Sequence, residues 1–242
     1  MNAILKKELQ SFFNSPLGFL IIGVFLILSS LFLWVFKGDF NILDYGFADL
    51  SKFFLFAPWI FLFIIPAITM KSFSEEYKMG TMELLLIKPI GIPKIILGKY
   101  LGTLLVSMLM LLPTLVYVFC IGALGMGTNN YDLGVIIGSY FGLFFLIGLF
   151  HAIGLFASTV SNNQIFSFLL GVLLCFLIFF GFDALASLLT DGSMQELVSN
   201  LGANAHFNSI ARGIIDTRDL VYFISLILFF LCLSYLQIKN KR

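Results

Sequence analysis

Charge is scarce in this sequence. Asp, Glu, Lys and Arg together make up 11% of the 242 residues, against roughly 25% in a soluble domain. Hydrophobic residues make up 60% of the chain and include thirty phenylalanines, and the mean hydropathy is +1.04. Such a composition excludes an ordinary water-soluble fold. We therefore predict an all-α integral membrane protein with several transmembrane helices.

Motifs of common catalytic chemistry are missing as well. The sequence has no GxxxxGK(S/T) phosphate-binding loop, no HExxH zinc motif and no GxSxG nucleophile turn. Cys120, Cys175 and Cys232 each stand alone inside apolar runs, which favours packed or lipid-facing thiols over metal ligands or disulfides. We expect no enzyme activity, no metal site and no cofactor in this chain, and no nucleic-acid partner.

Six apolar runs are each long enough to cross the ~30 Å hydrocarbon core, which takes about 20 helical residues. Pro58 and Pro66 fall in the second run and Pro113 in the third, so we expect kinks there. The segment 188–219 has helix-like spacing in two stretches and predicts a re-entrant helix pair at the outer surface. No soluble domain is expected within residues 1–242. The transmembrane helices are predicted near 17–36, 53–70, 100–122, 133–157, 164–187 and 220–238.

Residues 1–16 are predicted to form an amphipathic helix in the membrane interface. Five apolar side chains share one half of its helical wheel, and polar side chains cluster opposite. Glu8 falls inside the apolar arc, so we expect this carboxylate to turn toward protein and not toward lipid.

Lysine and arginine counts predict the orientation, because cytoplasmic loops of membrane proteins carry an excess of both. Ten of the fourteen lie near the chain termini or in the connector 71–99, and four lie in the other connectors. Both termini and the 71–99 connector are therefore predicted to be cytoplasmic, and 188–219 to lie outside.

The 71–99 connector is the only long charged segment between two strongly apolar runs. Ser72 with an acid three residues on fits a capping box, which predicts a helix start. Gly80 suits the end of that helix, where left-handed backbone is common. Thr81 fits the cap of a second helix, which Pro89 ends. The prediction is a rigid helix–break–helix element that another protein could grip. The alternative is a solvated connector.

Two ionisable residues inside or beside the apolar runs are candidates for function, because charge in the membrane is costly. His151 lies in the fourth run; its structural alternative is a neutral imidazole bonded to a neighbouring helix. Asp183 ends the fifth run; its alternative is a capping or surface role. We favour the structural role for both. A small-xxx-small pattern in the fourth run predicts a close helix-packing face at Gly134, Gly138 and Gly142.

One pattern in the connector resembles the cytoplasmic coupling segment of ABC-2-type transporter permeases. It reads Phe73-x-Glu75-Glu76, Gly80-Thr81-x-Glu83-Leu84-Leu85, Pro89 and Gly98-Lys99. The N-terminal helix, the six spans and the outer helix pair are similar to the same family. A second patch resembles a bacterial subgroup containing the gliding-motility-associated permease subunit. That patch comprises His206, Phe207, Ser209, Ile210, Arg212, Gly213, Ile215, Asp216, Arg218 and Asp219.

The resemblance implies the membrane subunit of an ATP-driven transporter in a bacterial inner membrane, performing export or mechanical work. ATP and Mg would be bound by a separate ABC ATPase, and this chain would pair with an identical chain or a second permease subunit. The residues implied at the ATPase interface are Phe73, Glu75, Glu76, Lys78, Gly80, Thr81, Glu83, Leu84 and Pro89, with Met79 and Met82 as further apolar anchors.

The outer patch offers gate candidates, namely His206, Arg212, Gly213, Asp216, Arg218 and Asp219. A structural role is favoured there, with Asp216 capping the sixth span and Asp219 in its first turn. An alternative function stays open, in which the chain is a stand-alone channel or secondary carrier that uses His151 and Asp183.

Overall fold

The computed structural model describes residues 2–47, 49–87, 90–125, 131–213 and 216–241. Helices are the only regular secondary structure in these ranges, which confirms the all-α prediction. The α-helices are α1 (Asn2–Phe13), α2 (Pro16–Ser30), α3 (Ile42–Tyr45), α4 (Ser51–Thr69), α5 (Lys71–Lys78), α6 (Thr81–Ile87), α7 (Ile92–Leu111), α8 (Leu115–Leu124), α9 (Leu133–Val160), α10 (Gln164–Phe176), α11 (Phe182–Ser187), α12 (Gly192–Ser199), α13 (Ala203–Ala211) and α14 (Thr217–Asn240).

Six helical stretches in the described ranges are long and apolar enough to cross a membrane, which makes the chain a multi-pass membrane protein. They correspond one to one with the predicted spans. The second and third continue beyond their apolar runs, because polar residues on both sides of the 71–99 connector are helical too. The stretches are Gly18–Val35, Ser51–Lys78, Ile92–Leu124, Leu133–Val160, Gln164–Ser187 and Thr217–Asn240.

Helix α9 lies at the centre of the bundle and packs against α4, α7, α10, α13 and α14. Its side chains Leu143, Ile147 and Phe150 are fully buried. The peripheral helices instead leave large apolar side chains uncovered, such as Phe19 on α2 and Phe119 on α8. Lipid tails are as apolar as these side chains, so exposure to a bilayer costs little.

The glycine face of α9 packs closely on α13, as predicted. A Cβ on Gly138 would lie 2.8 Å from the carbonyl oxygen of Ile210, and one on Gly142 would lie 3.3 Å from the Ile210 side chain. Gly134 lies against Gly213, which follows α13. A Cβ added to Gly213 would lie 3.6 Å from the carbonyl group of Gly134. Glycine at these positions lets the backbones of α9 and of the α13 segment approach this closely.

The prolines in the spans lie in different helical surroundings. At Pro113 the third span breaks into a 3-10 turn over Leu112–Thr114, whereas α4 continues through Pro58 and Pro66 without interruption. Two other spans contain π-helical turns that no proline signals, Leu31–Val35 after α2 and Leu177–Gly181 after α10.

The bundle has two distinct ends. The terminal side, as we call it, holds α1, α5, α6 and the last residues of α14; Lys7 of α1 contacts Glu76 of α5, and Lys241 contacts the end of α9. The opposite side holds α12, α13 and the start of α14, where Tyr222 bonds to Leu201.

Candidate functional site

The charged segment on the terminal side begins inside a helix that is already formed. Met70, between α4 and α5, has helical backbone angles (φ −54°, ψ −32°), and its N–H donates to the carbonyl of Pro66. The predicted helix start at Ser72 is therefore wrong, because Ser72 lies within a continuous helix from Ser51 to Lys78. Helix α5 is a rigid extension of the second span.

The segment turns sharply at Gly80, which has the predicted left-handed backbone (φ 69°). A Cβ there would meet no atom within 4 Å, so the backbone conformation is what favours glycine at this position. Helix α6 begins at Thr81, whose hydroxyl donates back to the carbonyl of Glu76 at 3.4 Å. The predicted order of helix, break and helix is thus found. Pro89, the predicted end of the element, lies outside the described residues.

A buried lysine ties this element to two other helices. Lys99 of α7 is 1% exposed. Its Nζ donates to Oε1 of Glu8 at 2.7 Å, to Oε1 of Glu76 at 3.0 Å and to the carbonyl of Ser72 at 2.6 Å. Lys7 also contacts Glu76, at 3.1 Å, from a more exposed position. We call Glu8, Glu76 and Lys99 the buried ion cluster. It joins α1, α5 and α7.

The cluster explains how α1 sits on the bundle. Glu8 turns toward protein, as predicted, and a Cβ on Gly102 of α7 would lie 2.8 Å from the Cβ of Glu8. Ile4, on the apolar arc, is buried in the core. At Ile4 the apolar arc therefore faces the bundle, where α1 packs along α7.

Deleting residues 2–13 is expected to lower the thermal stability of the protein without preventing membrane insertion. The deletion leaves Lys99 with one carboxylate instead of two and uncovers part of α7, while the six spans remain. Alkaline extraction of membranes checks insertion, and heating in mild detergent followed by size-exclusion chromatography checks stability. As a control, Lys6→Gln changes an exposed residue of α1 and should leave both results unaltered. Loss of insertion would contradict the account.

A second contact holds the other flank of α5. Lys241, after α14, donates to the last carbonyls of α9, those of Thr159 at 2.7 Å and Val160 at 3.1 Å. Its Nζ also lies 4.5 Å from the ring centroid of Tyr77 on α5. Partial burial lowers the pKa of Lys241. A cation is stabilised at this position by the negative end of the α9 dipole and by the aromatic face.

The predicted interface residues differ in exposure. Phe73 is 0% exposed and Glu76 is 6% exposed, because both lie on the inner face of α5 against Lys99, and Met82 is also buried. The prediction that these three side chains contact a partner directly is wrong, because they are buried within the chain. Glu75 and Thr81 are half-buried. The exposed predicted residues are Lys78, Met79, Gly80, Glu83 and Leu84. Together with Ile87 of α6, which is exposed but was not predicted, they form what we call the corner surface.

The ion pair between Glu76 and Lys99 was not predicted from the sequence. In the sequence, Lys99 is one positive charge of the connector and part of the Gly98-Lys99 pair in the family pattern, and neither observation predicts an ion pair. A signal was present on the other side of the contact, because Glu8 falls inside the apolar arc of α1 and a carboxylate there needs a partner. Phe73 and Glu76 are also three residues apart, so they share one helix face.

The gate candidates on the opposite side differ in their surroundings. Asp216 caps α14 by accepting from the N–H of Arg218 at 2.9 Å, and Asp219 lies in the first turn, as predicted. Arg212 and Arg218 are exposed. Gly213 has a left-handed backbone (φ 82°) after α13. His206 and Asp219 are brought together, with Nδ1 and Oδ1 2.6 Å apart.

His151 and Asp183 both have local partners. His151 is buried; its Nδ1 lies 2.8 Å from the carbonyl of Ile147 and its Nε2 lies 3.2 Å from the hydroxyl of Ser107 on α7. Asp183 accepts hydrogen bonds from Ser199 at 2.8 Å and Asn204 at 2.6 Å, which ties α11 to α12 and α13. These contacts agree with the structural roles favoured for both residues.

The fold and the terminal-side element together define a polytopic α-helical membrane protein with a rigid polar element braced against its spans. A family described as ABC-2 family transporter protein matches residues 2–239. The chain therefore belongs to the ABC-2 transporter family, whose members are membrane transport subunits and whose membership implies an ABC ATPase partner. No curated protein matches the chain.

Proposed function

We propose that this chain is the permease subunit of an ATP-driven ABC-2 transporter and that the corner surface receives the ATPase. The observation that carries the proposal is the bracing of α5. This helix extends the second span, is bound to α1 and α7 through Lys99, and contacts α9 and the end of α14 through Lys241. A force on the corner surface is thereby passed to several membrane helices at once.

The corner surface has the composition of a docking site. Met79, Leu84 and Ile87 are 61%, 64% and 79% exposed and supply apolar contact area. Lys78 and Glu83 flank them with one charge of each sign. In such an interface the apolar side chains supply most of the affinity, while the charges select the partner and its register.

In the proposed mechanism, closure of the ATPase subunits displaces the α5–α6 corner. Because α5 continues α4 without a break, displacement tilts the second span, and the buried ion cluster transmits the movement to α1 and α7. The third span breaks at Pro113, which gives its two halves, α7 and α8, freedom to bend relative to each other.

The proposal extends to orientation and assembly. The excess of Lys and Arg favours a cytoplasmic terminal side in a bacterial inner membrane, with both chain termini inside. The transporter would need a second six-helix half, either an identical chain or another permease subunit. The likeness of residues 206–219 to gliding-motility-associated permeases favours that complex, with export or mechanical work as its output.

Reversing the charge of Glu83 tests the interface. We expect Glu83→Lys to reduce the amount of co-purified ATPase about tenfold or more, because a like-charge contact replaces a complementary one. The measurement is affinity purification from mild-detergent membranes, with identification of a phosphate-loop ATPase and its ratio to this chain.

The matched control is Glu196→Lys, since Glu196 is exposed on α12 at the opposite end of the bundle. That variant should retain the ATPase at the wild-type ratio. Equal retention by both variants would contradict the proposed interface, and absence of any ATPase from the wild type would contradict the permease assignment.

A further inference from the structure

Both ring nitrogens of His206 face hydrogen-bond acceptors. Nδ1 lies 2.6 Å from Oδ1 of Asp219, and Nε2 lies 2.9 Å from the carbonyl oxygen of Asn200. A carbonyl oxygen can only accept, so Nε2 must carry a proton. The contact at Nδ1 needs another proton, on the ring or on the carboxyl group. The arrangement therefore holds one proton more than a neutral histidine beside an ionised aspartate.

His151 provides the contrast within the same chain. Its Nδ1 faces the carbonyl of Ile147, but its Nε2 faces the hydroxyl of Ser107, which can donate. One ring proton satisfies both contacts. Of the two histidines in the sequence, only His206 is placed so that its hydrogen bonds require the additional proton.

The His206 contacts join three parts of the opposite side. His206 lies on α13, Asp219 in the first turn of α14, and Asn200 in the turn after α12. Tyr222 of α14 stacks on the imidazole with ring centroids 3.9 Å apart, and its hydroxyl donates to the carbonyl of Leu201 at 2.6 Å. The ring thus fastens the end of α12 and the start of α13 to α14.

Asp219 depends on this contact. The residue is 5% exposed, and its other carboxylate oxygen, Oδ2, is buried without a hydrogen-bond partner among the described residues. An ionised carboxylate in such surroundings is costly unless a cation or donor stays beside it.

We propose that His206 and Asp219 form a proton-dependent latch between the α12–α13 segment and α14. When the additional proton is lost, one of the two ring contacts sets a lone pair against a lone pair, and Asp219 loses its partner. The latch holds the α12–α13 segment against α14 at low pH and releases it as pH rises and the pair loses the additional proton. With the orientation proposed above, it responds to the pH outside the cytoplasm.

Other charged groups near the latch have separate roles. Asp183 on α11 is bonded to Ser199 and Asn204. Helix α9, which packs beneath α13, has no Asp, Glu, Lys or Arg in its sequence. The remaining charged residues on the neighbouring segments are exposed or cap a helix, and in the described structure none has a hydrogen bond or ion pair with the ring. They are Asp191, Glu196, Arg212, Asp216 and Arg218.

Hydrogen exchange tests the latch in the purified full-length chain in lipid nanodiscs. After correction for the intrinsic effect of pH, we expect exchange over residues 200–213 to quicken about tenfold between an acidic and an alkaline pH. Asp219→Asn should abolish this step and keep the segment protected at both pH values. The asparagine amide can donate to Nδ1, so that one ring proton is then sufficient.

Two further measurements complete the test. Tyr222→Phe removes the hydroxyl bond to Leu201 without changing the proton requirement, so it should quicken exchange by the same factor at both pH values. Magnetic resonance of isotope-labelled histidine rings should show the ring signals of His206, assigned with His206→Gln, changing over the range in which exchange quickens.

The proposal is contradicted if the exchange rate of the wild-type segment does not change with pH. It is also contradicted if the change with pH persists in Asp219→Asn. Neither measurement involves an ATPase, so the latch and the permease proposal fail independently. Only the compartment that the latch senses rests on the proposed orientation.

Discussion

Replacing Lys99 by methionine is expected to destabilise the folded protein by about 3–5 kcal/mol, the cost typical of removing one partner from a buried ion pair. Glu8 and Glu76 would then lie close together as carboxylates without their shared cation. Their side chains are 15% and 8% exposed, so water compensates little. The measurement is the thermal midpoint of the detergent-solubilised protein, followed by size-exclusion chromatography after heating.

Two controls separate this effect from general sensitivity to substitution. Lys7→Met removes a lysine whose side chain is 63% exposed, and should cost no more than about 1 kcal/mol. The triple variant Lys99→Met, Glu8→Gln, Glu76→Gln removes all three charges and should recover much of the stability, because no unpaired charge stays buried. Equal losses for Lys99→Met and Lys7→Met would contradict the role of the buried ion cluster.

Gly138→Ala is expected to destabilise the protein by about 1–3 kcal/mol, the usual cost of forcing extra volume into a packed core. The new methyl group would lie 2.8 Å from the carbonyl oxygen of Ile210 and 3.0 Å from the Cα of Gly213. Both are backbone atoms, so no side-chain rotation can relieve the contact and α13 must move away from α9. Thermal unfolding and hydrogen exchange over 203–211 measure the change.

The chain offers a graded series of controls for this prediction. Gly142→Ala meets the Ile210 side chain at 3.3 Å, a contact that small adjustments can relieve, so its cost should be smaller. Gly23→Ala in α2 meets nothing within 4 Å and should be neutral or mildly stabilising, since alanine has the higher helix propensity. A loss at Gly23 as large as that at Gly138 would show that close backbone packing is not the cause.

The sequence was sufficient to predict the number and approximate positions of the six spans. Hydrophobic length determines where a helix can cross a bilayer, and that information is local. Helix ends were harder to predict, because α5 continues α4 across Met70 where a capping residue at Ser72 suggested a start. Local capping signals do not operate inside a helix that is already propagating from an apolar span.

Much less of the candidate site was predictable, because its contacts are distant in sequence. Lys99 meets Glu8 across 91 positions and Glu76 across 23. Only the helical wheel of α1, which placed Glu8 among apolar residues, hinted that a buried partner existed. The burial of Phe73 and Glu76 depends on how α5 is oriented by α1 and α7, and no local pattern encodes that.

The π-helical turns at Leu31–Val35 and Leu177–Gly181 could not be anticipated for a related reason. Nothing in those apolar stretches distinguishes a π turn from a regular one, so neighbouring helices must decide it. Just before Leu31–Val35 such a contact is present. The hydroxyl of Tyr117 on α8 lies 3.0 Å from the hydroxyl of Ser29 and 2.9 Å from that of Ser30.

Site-specific photo-crosslinking tests the docking role of the corner surface most directly. A photoreactive amino acid at Leu84 on α6 is compared with one at Leu197 on α12, two leucines that are 64% and 65% exposed at opposite ends of the bundle. After irradiation of intact membranes, a phosphate-loop ATPase should be crosslinked to position 84 and not to position 197. An ATPase crosslinked at position 197, or none at position 84, would contradict the proposal.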